Sequence, residues 1–215
     1  MKAPEKRIEP GRIFLLSPAK ASGRRAQLLT RPLAKFELAR QVQIGDATLG
    51  SVFAFCSGLY FRGKLAYARR FAQAPQGVPG ALIITPSRGL LSAETLVGLT
   101  DLLEFSTVNV DSAEPRFTQP LRTAAETLAI GSHCEVVLLG SIATGKYVET
   151  LLPILGERLC FPAEFVGRGD MSRGGLLLRH AACGDELQYI PVAGAVRRGR
   201  RAPRLTMMET KAPRS

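Results

Sequence analysis

Apolar residues in this chain gather into short unbroken runs, and residues at helical spacing fill most of the ground between those runs. Ile13-Phe14-Leu15-Leu16, Ala81-Leu82-Ile83-Ile84 and Glu135-Val136-Val137-Leu138-Leu139 each read as a strand. Continuous apolar runs of this length fit strands covered on both faces, as in a parallel sheet. Residues 26–42 read as helical with a break near Pro32, 50–58 as a second helical stretch and 59–71 as a third. In the last, Leu65, Ala68 and Ala72 share one face and Arg62, Lys64, Arg69 and Arg70 lie elsewhere. The GVPG at 77–80 marks a turn. Beyond the second strand, residues 92–105 read as helix, 107–110 as a short strand and 121–130 as helix. The third strand leads to a helix at 147–155 and a short strand at 159–161. A last strand at 186–192 belongs at a sheet edge, because Pro191 has no N–H for a ladder.

This alternation predicts a single three-layer α/β domain over residues 12–196, with a mainly parallel central sheet and helices on both faces. A flexible lead-in is expected at 1–11 and a basic, disordered tail at 197–215. The chain's 215 residues suit one domain with a real core.

In open parallel sheets ligands bind outside the carboxyl ends of the strands. Here those ends are residues 17–25, 85–89, 140–147 and 162–175, all rich in Gly, Ser, Thr, Lys or Arg. After the first strand, Ser17, Lys20 and Arg24 suit a phosphate or carboxylate clamp, or a solvated turn. Arg88 follows the second strand. After the third, Gly140-Ser141-Ile142-Ala143-Thr144-Gly145-Lys146-Tyr147 matches the phosphate-cradling G-x4-G-K-[ST] pattern except at its last position. A phenol is too long to hold a metal where the small hydroxyl must sit. The segment is therefore read as a nucleotide-hydrolysing loop, another kind of anion site using Gly140, Ser141, Thr144, Lys146 and Tyr147, or a plain strand-to-helix turn.

Residues 161–179, FPAEFVGRGDMSRGGLLLR, carry the densest mixture of glycine and polar chemistry. They read as a binding loop in which glycines let the backbone approach a ligand. Asp170, set between Arg168 and Arg173, is the candidate catalytic acid or base, because flanking cations favour an ionised carboxylate. The other reading makes it a turn residue locked by its arginines. Arg168, Ser172 and Arg173 are the accompanying ligand contacts, and Glu164 is a second carboxylate nearby. The Leu59-Tyr60-Phe61-Arg62-Gly63-Lys64 segment also has two readings. Tyr60 stacks on a base while Arg62 and Lys64 meet phosphates, or Tyr60 and Phe61 enter the core and the cations are solvated.

The net charge of +11 is uneven. Residues 197–215 hold seven basic residues against Glu209, a net +6 that leaves +5 for residues 1–196. Such a tail suits a solubilising end or a basic arm for a polyanion. The four cysteines are widely spaced and only two histidines exist, so no zinc site is expected and the thiols read as structural. The apolar stretch near the N-terminus is too short for a signal peptide, and no run is long enough to span a membrane. A cytoplasmic location without membrane partners is expected. The cofactor and the oligomeric state are unknown at this level.

Several pieces, in order, carry a resemblance: residues 16–20, Leu59-Tyr60 through Tyr67-Ala68, residues 83–91, and Gly145-Lys146-Tyr147-Val148. Over roughly residues 12–175 the chain resembles a set of uncharacterised bacterial and phage α/β domains. Some of these look similar to the core domain of archaeosine-type synthases and, more distantly, to the uracil-DNA glycosylase-like fold. The resemblance implies a nucleobase or nucleic-acid setting. The characteristic water-activating motif of those glycosylases has no counterpart here. Together with the loops, this gives a nucleotide- or nucleic-acid-associated enzyme acting on a nucleobase or nucleoside. The alternative is a non-enzymatic module that holds nucleic acid or a partner with its basic cleft and tail.

Overall fold

The computed structural model describes residues 11–196 and Gly199. The expected lead-in, apart from Gly11, and the expected tail, apart from Gly199, lie outside the described residues. The strands are β1 (Arg12–Leu16), β2 (Ala47–Thr48), β3 (Ala81–Ile84), β4 (Leu90–Ser92), β5 (Leu96–Val97), β6 (Glu135–Leu139), β7 (Leu159–Pro162) and β8 (Tyr189–Pro191). The helices are α1 (Arg24–Leu29), α2 (Glu37–Ile44), α3 (Leu49–Ser57), α4 (Leu59–Phe71), α5 (Leu99–Ser106), α6 (Pro115–Gly131), α7 (Val148–Leu155) and α8 (Asp170–Cys183).

Six strands form one sheet in the order β4-β3-β1-β6-β7-β8. β3, β1, β6 and β7 run parallel, and the two edge strands run antiparallel to them. The apolar runs account for this. Residues 13–16 and 136–139 are buried along their whole length, because α4 and α8 pack together on one face and α6 and α7 on the other. The molecule is a three-layer α/β domain, as its hydrophobic pattern predicts. β8 forms one edge of the sheet, where Pro191 needs no ladder partner.

Two expected elements differ. The helix expected over 92–105 begins only at Leu99, and the end of β4 at Ser92 and all of β5 take up its first part. Gly89 is the cause. With φ at 63° it turns the chain back after β3 into an antiparallel pairing. Residues 107–110 form no strand and lie over the carboxyl edge of the sheet.

The largest departure concerns the glycine-rich segment. Its second half is helix: Asp170 is the first residue of α8, and Ser172, Arg173 and Gly174 lie within it. Gly174 serves a close helix crossing. A Cβ there would stand 2.8 Å from Tyr60 Cα and 2.9 Å from Leu59 O, both backbone atoms of α4. The partner position is Gly63, whose Cβ would stand 2.6 Å from Gly174 O. Two helices meet backbone to backbone where both side chains are absent.

Candidate functional site

Parallel pairing puts the carboxyl ends of β1, β3, β6 and β7 on one edge. From β1 the chain moves to β3 on one side, while β6 lies on the other side. The crevice between β1 and β6 is therefore the switch point at which ligands bind in such sheets. An open cleft of about 540 Å³ lies there. The 18–22 segment after β1 forms one wall with Lys20, and Lys146 and Tyr147 come from the loop after β6. Pro86 follows β3, and Phe105 with residues 108–111 close the far side. Two cations thus face an apolar wall, and Asp111 adds one carboxylate.

Lys20 and Lys146, expected from two separate loops, are brought together in this cleft. Arg24 begins α1 and is exposed, outside the cleft lining. Arg88 is not among the residues lining the cleft. Its guanidinium pairs with Asp101 at 2.6 Å and closely with Glu104, bolting the turn after β3 to α5. Thr85 closes the same turn by donating to Gly89 O at 3.0 Å and accepting from Arg88 N at 3.0 Å. Glu104 also accepts from Ser87. This turn spends its polar groups internally.

The loop resembling a phosphate cradle also has internal partners. The Glu149 side chain packs against Gly145, and Glu149 N bonds back to Gly145 O at 2.9 Å. A carboxylate in the first turn of α7 already satisfies the positive end of that helix. Gly140 is buried, and a Cβ there would stand 3.0 Å from Ser17 Cβ, so it joins the ends of β6 and β1 tightly. Ser141 Oγ accepts from Ala143 N, and Thr144 is exposed.

Around Asp170 the expected binding loop is a clamp. Arg168 donates to Glu164 O at 3.0 Å and to Ser172 Oγ at 3.2 Å. Arg173 is buried, and its guanidinium donates to Phe165 O at 3.0 and 3.3 Å. Its other nitrogen stands 3.7 Å from Asp170, whose side chain is 70% exposed at the start of α8. Asp170 is not among the residues lining the cleft.

Behind the cleft floor lies a group that the pattern reading placed on an outer face. Lys64 is only 1% exposed. Its Nζ donates to Ser17 O at 2.5 Å and to Ser17 Oγ at 2.9 Å. It lies 4.4 Å from the Tyr60 ring centroid and 4.8 Å from that of Phe61. No carboxylate pairs with it among the described residues. Burial pulls its pKa down to about 7; the charge of Asp170 opposes that fall and the charge of Arg173 adds to it. Tyr60 and Phe61 enter the core, so Tyr60 offers no exposed stacking platform. The Tyr60 phenol is 7% exposed and its oxygen makes no hydrogen bond. Burial raises its pKa to about 12, tempered by Arg173. Tyr147, 8% exposed, is raised by burial as well, and Ser17 is the side chain that stabilises its ionised form. The signal for Lys64 was its spacing. It falls four residues after Tyr60, inside an otherwise apolar stripe that includes Phe61, Leu65 and Ala68.

The four cysteines are free thiols: Cys134 and Cys160 are buried, Cys56 is half-buried and Cys183 is exposed. Among the described residues no group of three or more His, Cys, Asp or Glu side chains is placed to hold a metal, and no helix is long and apolar enough to cross a membrane. No protein-family model, curated protein or solved structure matches the chain.

Proposed function

We propose that this protein is a nucleotide-associated enzyme acting on a nucleobase or nucleoside, with its ligand in the cleft between the ends of β1 and β6. One observation carries the reading: two lysines from separate loops face an apolar wall across a concave site at the switch point of the sheet. Lys20 and Lys146 meet a phosphate, Phe105 and Val108 supply an apolar surface for a base, and Asp111 accepts from ribose hydroxyls. A non-enzymatic module is the second reading, favoured by the exposure of Asp170 and its place outside the cleft lining.

Titration with AMP, GMP, adenosine and inorganic phosphate tests this. A nucleotide is expected to bind more tightly than phosphate or nucleoside alone. Lys146→Ala is expected to weaken it about tenfold, the loss of one charge-assisted hydrogen bond. Arg69→Ala, which removes an exposed cation paired with Glu94 near the opposite end of β3, leaves binding unchanged. If none of the four ligands binds, the reading fails. If only a single-stranded oligonucleotide binds, the binding-module reading replaces it.

A further inference from the structure

At Ser17 the chain leaves the sheet and becomes a wall of the cleft. The paired strands end at Leu16 and Leu139, so the ladder reaches Ser17 only through its N–H, which donates to Leu139 O at 3.3 Å. The Ser17 hydroxyl donates to the same oxygen at 3.3 Å. Pro18 follows and has no N–H to carry the pairing on. The Ser17 carbonyl is thus the last backbone group before residues 18–22, the wall that carries Lys20. Ser17 is buried, so its carbonyl needs a donor from inside the protein.

Lys64 is that donor. Its Nζ meets Ser17 O at 2.5 Å and Ser17 Oγ at 2.9 Å, reaching them from α4 and not from a neighbouring strand. Both oxygens belong to one residue, so the amine acts on one point of the chain. Packing alone does not call for an amine here, since a methionine would fill the same space without the cost of burying a cation. What the amine adds is a fixed direction for the Ser17 carbonyl. The peptide unit joining Ser17 to Pro18 is planar, so fixing that carbonyl also fixes the course of the wall beyond it. At its far end the wall closes on itself, with Gly23 N donating to Lys20 O at 3.2 Å just before α1. Lys64 holds the near end.

We propose that Lys64 is a positioning residue for the cleft: by holding the Ser17 carbonyl it fixes the wall at residues 18–22 and keeps Lys20 in the same cleft as Lys146. The proposal rests on the cleft being the nucleotide site.

The test is backbone amide relaxation by NMR on the full chain, followed by titration with AMP. In the ligand-free wild type the amides of residues 19–22 are expected to be as ordered as those of β6, with order parameters of about 0.85. In Lys64→Met they fall below about 0.6, while residues 136–138 keep theirs. A wall already loose in the wild type overturns the proposal and needs no variant. A wall unchanged in Lys64→Met overturns it too, as does a loss of order shared by β6, unfolding included. AMP is then titrated into the wild type, Lys20→Ala, Lys64→Met and the double variant. Each single change is expected to weaken AMP about tenfold, and the double variant by about the same, because Lys64 acts through Lys20. Losses that multiply to about a hundredfold in the double variant overturn the proposal, as does wild-type affinity in Lys64→Met. If AMP fails to bind even the wild type, the nucleotide reading fails, and the relaxation result still decides whether Lys64 holds the wall.

Discussion

Replacing Gly174 by alanine is expected to cost the fold about 3 kcal/mol, a large effect for one methyl group. The methyl would meet Tyr60 Cα at 2.8 Å and Leu59 O at 2.9 Å, and neither can rotate away, since both belong to the backbone of α4. Relief requires α4 and α8 to separate along their crossing. α4 packs on β1 and β3 and α8 packs on α4, so that separation strains the contacts of Phe61, Tyr67 and Leu177, which are buried in the core. Gly131→Ala is the matched control. It lies at the end of α6 with no atom within 4 Å of the added Cβ, and alanine there is expected to be neutral or stabilising by up to about 1 kcal/mol. Denaturant unfolding of the two variants reads the difference as a shift in midpoint at constant slope. A Gly174→Ala protein as stable as the wild type would show that the crossing has slack. The effect reaches the end of β1 as well, because Lys64 of α4 donates to Ser17 O and Oγ there.

That crossing also shows where the sequence stops being legible. The parallel strands were readable because burial on both faces demands unbroken apolar runs, and residues 13–16, 81–84 and 136–139 supply them. The glycines were ambiguous. A glycine is equally suited to a loop around a ligand and to a close helix crossing, and nothing in the local pattern of residues 167–175 points to Gly63, more than a hundred residues earlier. The ion pairs of Arg88 were hidden for a similar reason. Its neighbours in sequence are loop residues, but its partners Asp101 and Glu104 lie one and two turns into the next helix. Residues 107–110 alternate as a strand should, yet both edges of the sheet are already taken by β4 and β8. Lys20 and Lys146 were readable as neighbours along one edge because a cation beyond the end of a parallel strand has one edge to occupy, and both line the cleft there. Lys64 was visible only as a break in an apolar stripe, and its partner Ser17 is set by tertiary packing.

Lys64→Met is expected to change stability in a way that depends on pH more than on any contact it removes. Below about pH 7 the amine is charged in both the folded and the unfolded chain, so the wild type carries the full cost of burying an ammonium. As pH rises past about 7 the folded protein gives up this proton, whereas the unfolded chain keeps it until about 10.5. Within that window the unfolded state binds more protons. Wild-type stability therefore gains about 1.4 kcal/mol per pH unit from this one group. Methionine has no proton to lose and gains nothing. The stability of Lys64→Met relative to the wild type should accordingly be highest in mild acid and fall steadily toward alkaline pH. The loss of donors to Ser17 O and Oγ lowers the whole curve without changing its slope. Titrations of other groups cancel in the comparison, because both proteins share them. Denaturant unfolding of the pair at four or five pH values between about 6 and 9 measures the slope directly. A difference that stays constant across that range would mean that Lys64 remains an ammonium in the folded protein, held as a bolt between α4 and β1. A difference that falls with pH would mean that this buried amine gives up its proton at a pH where a reaction can use it.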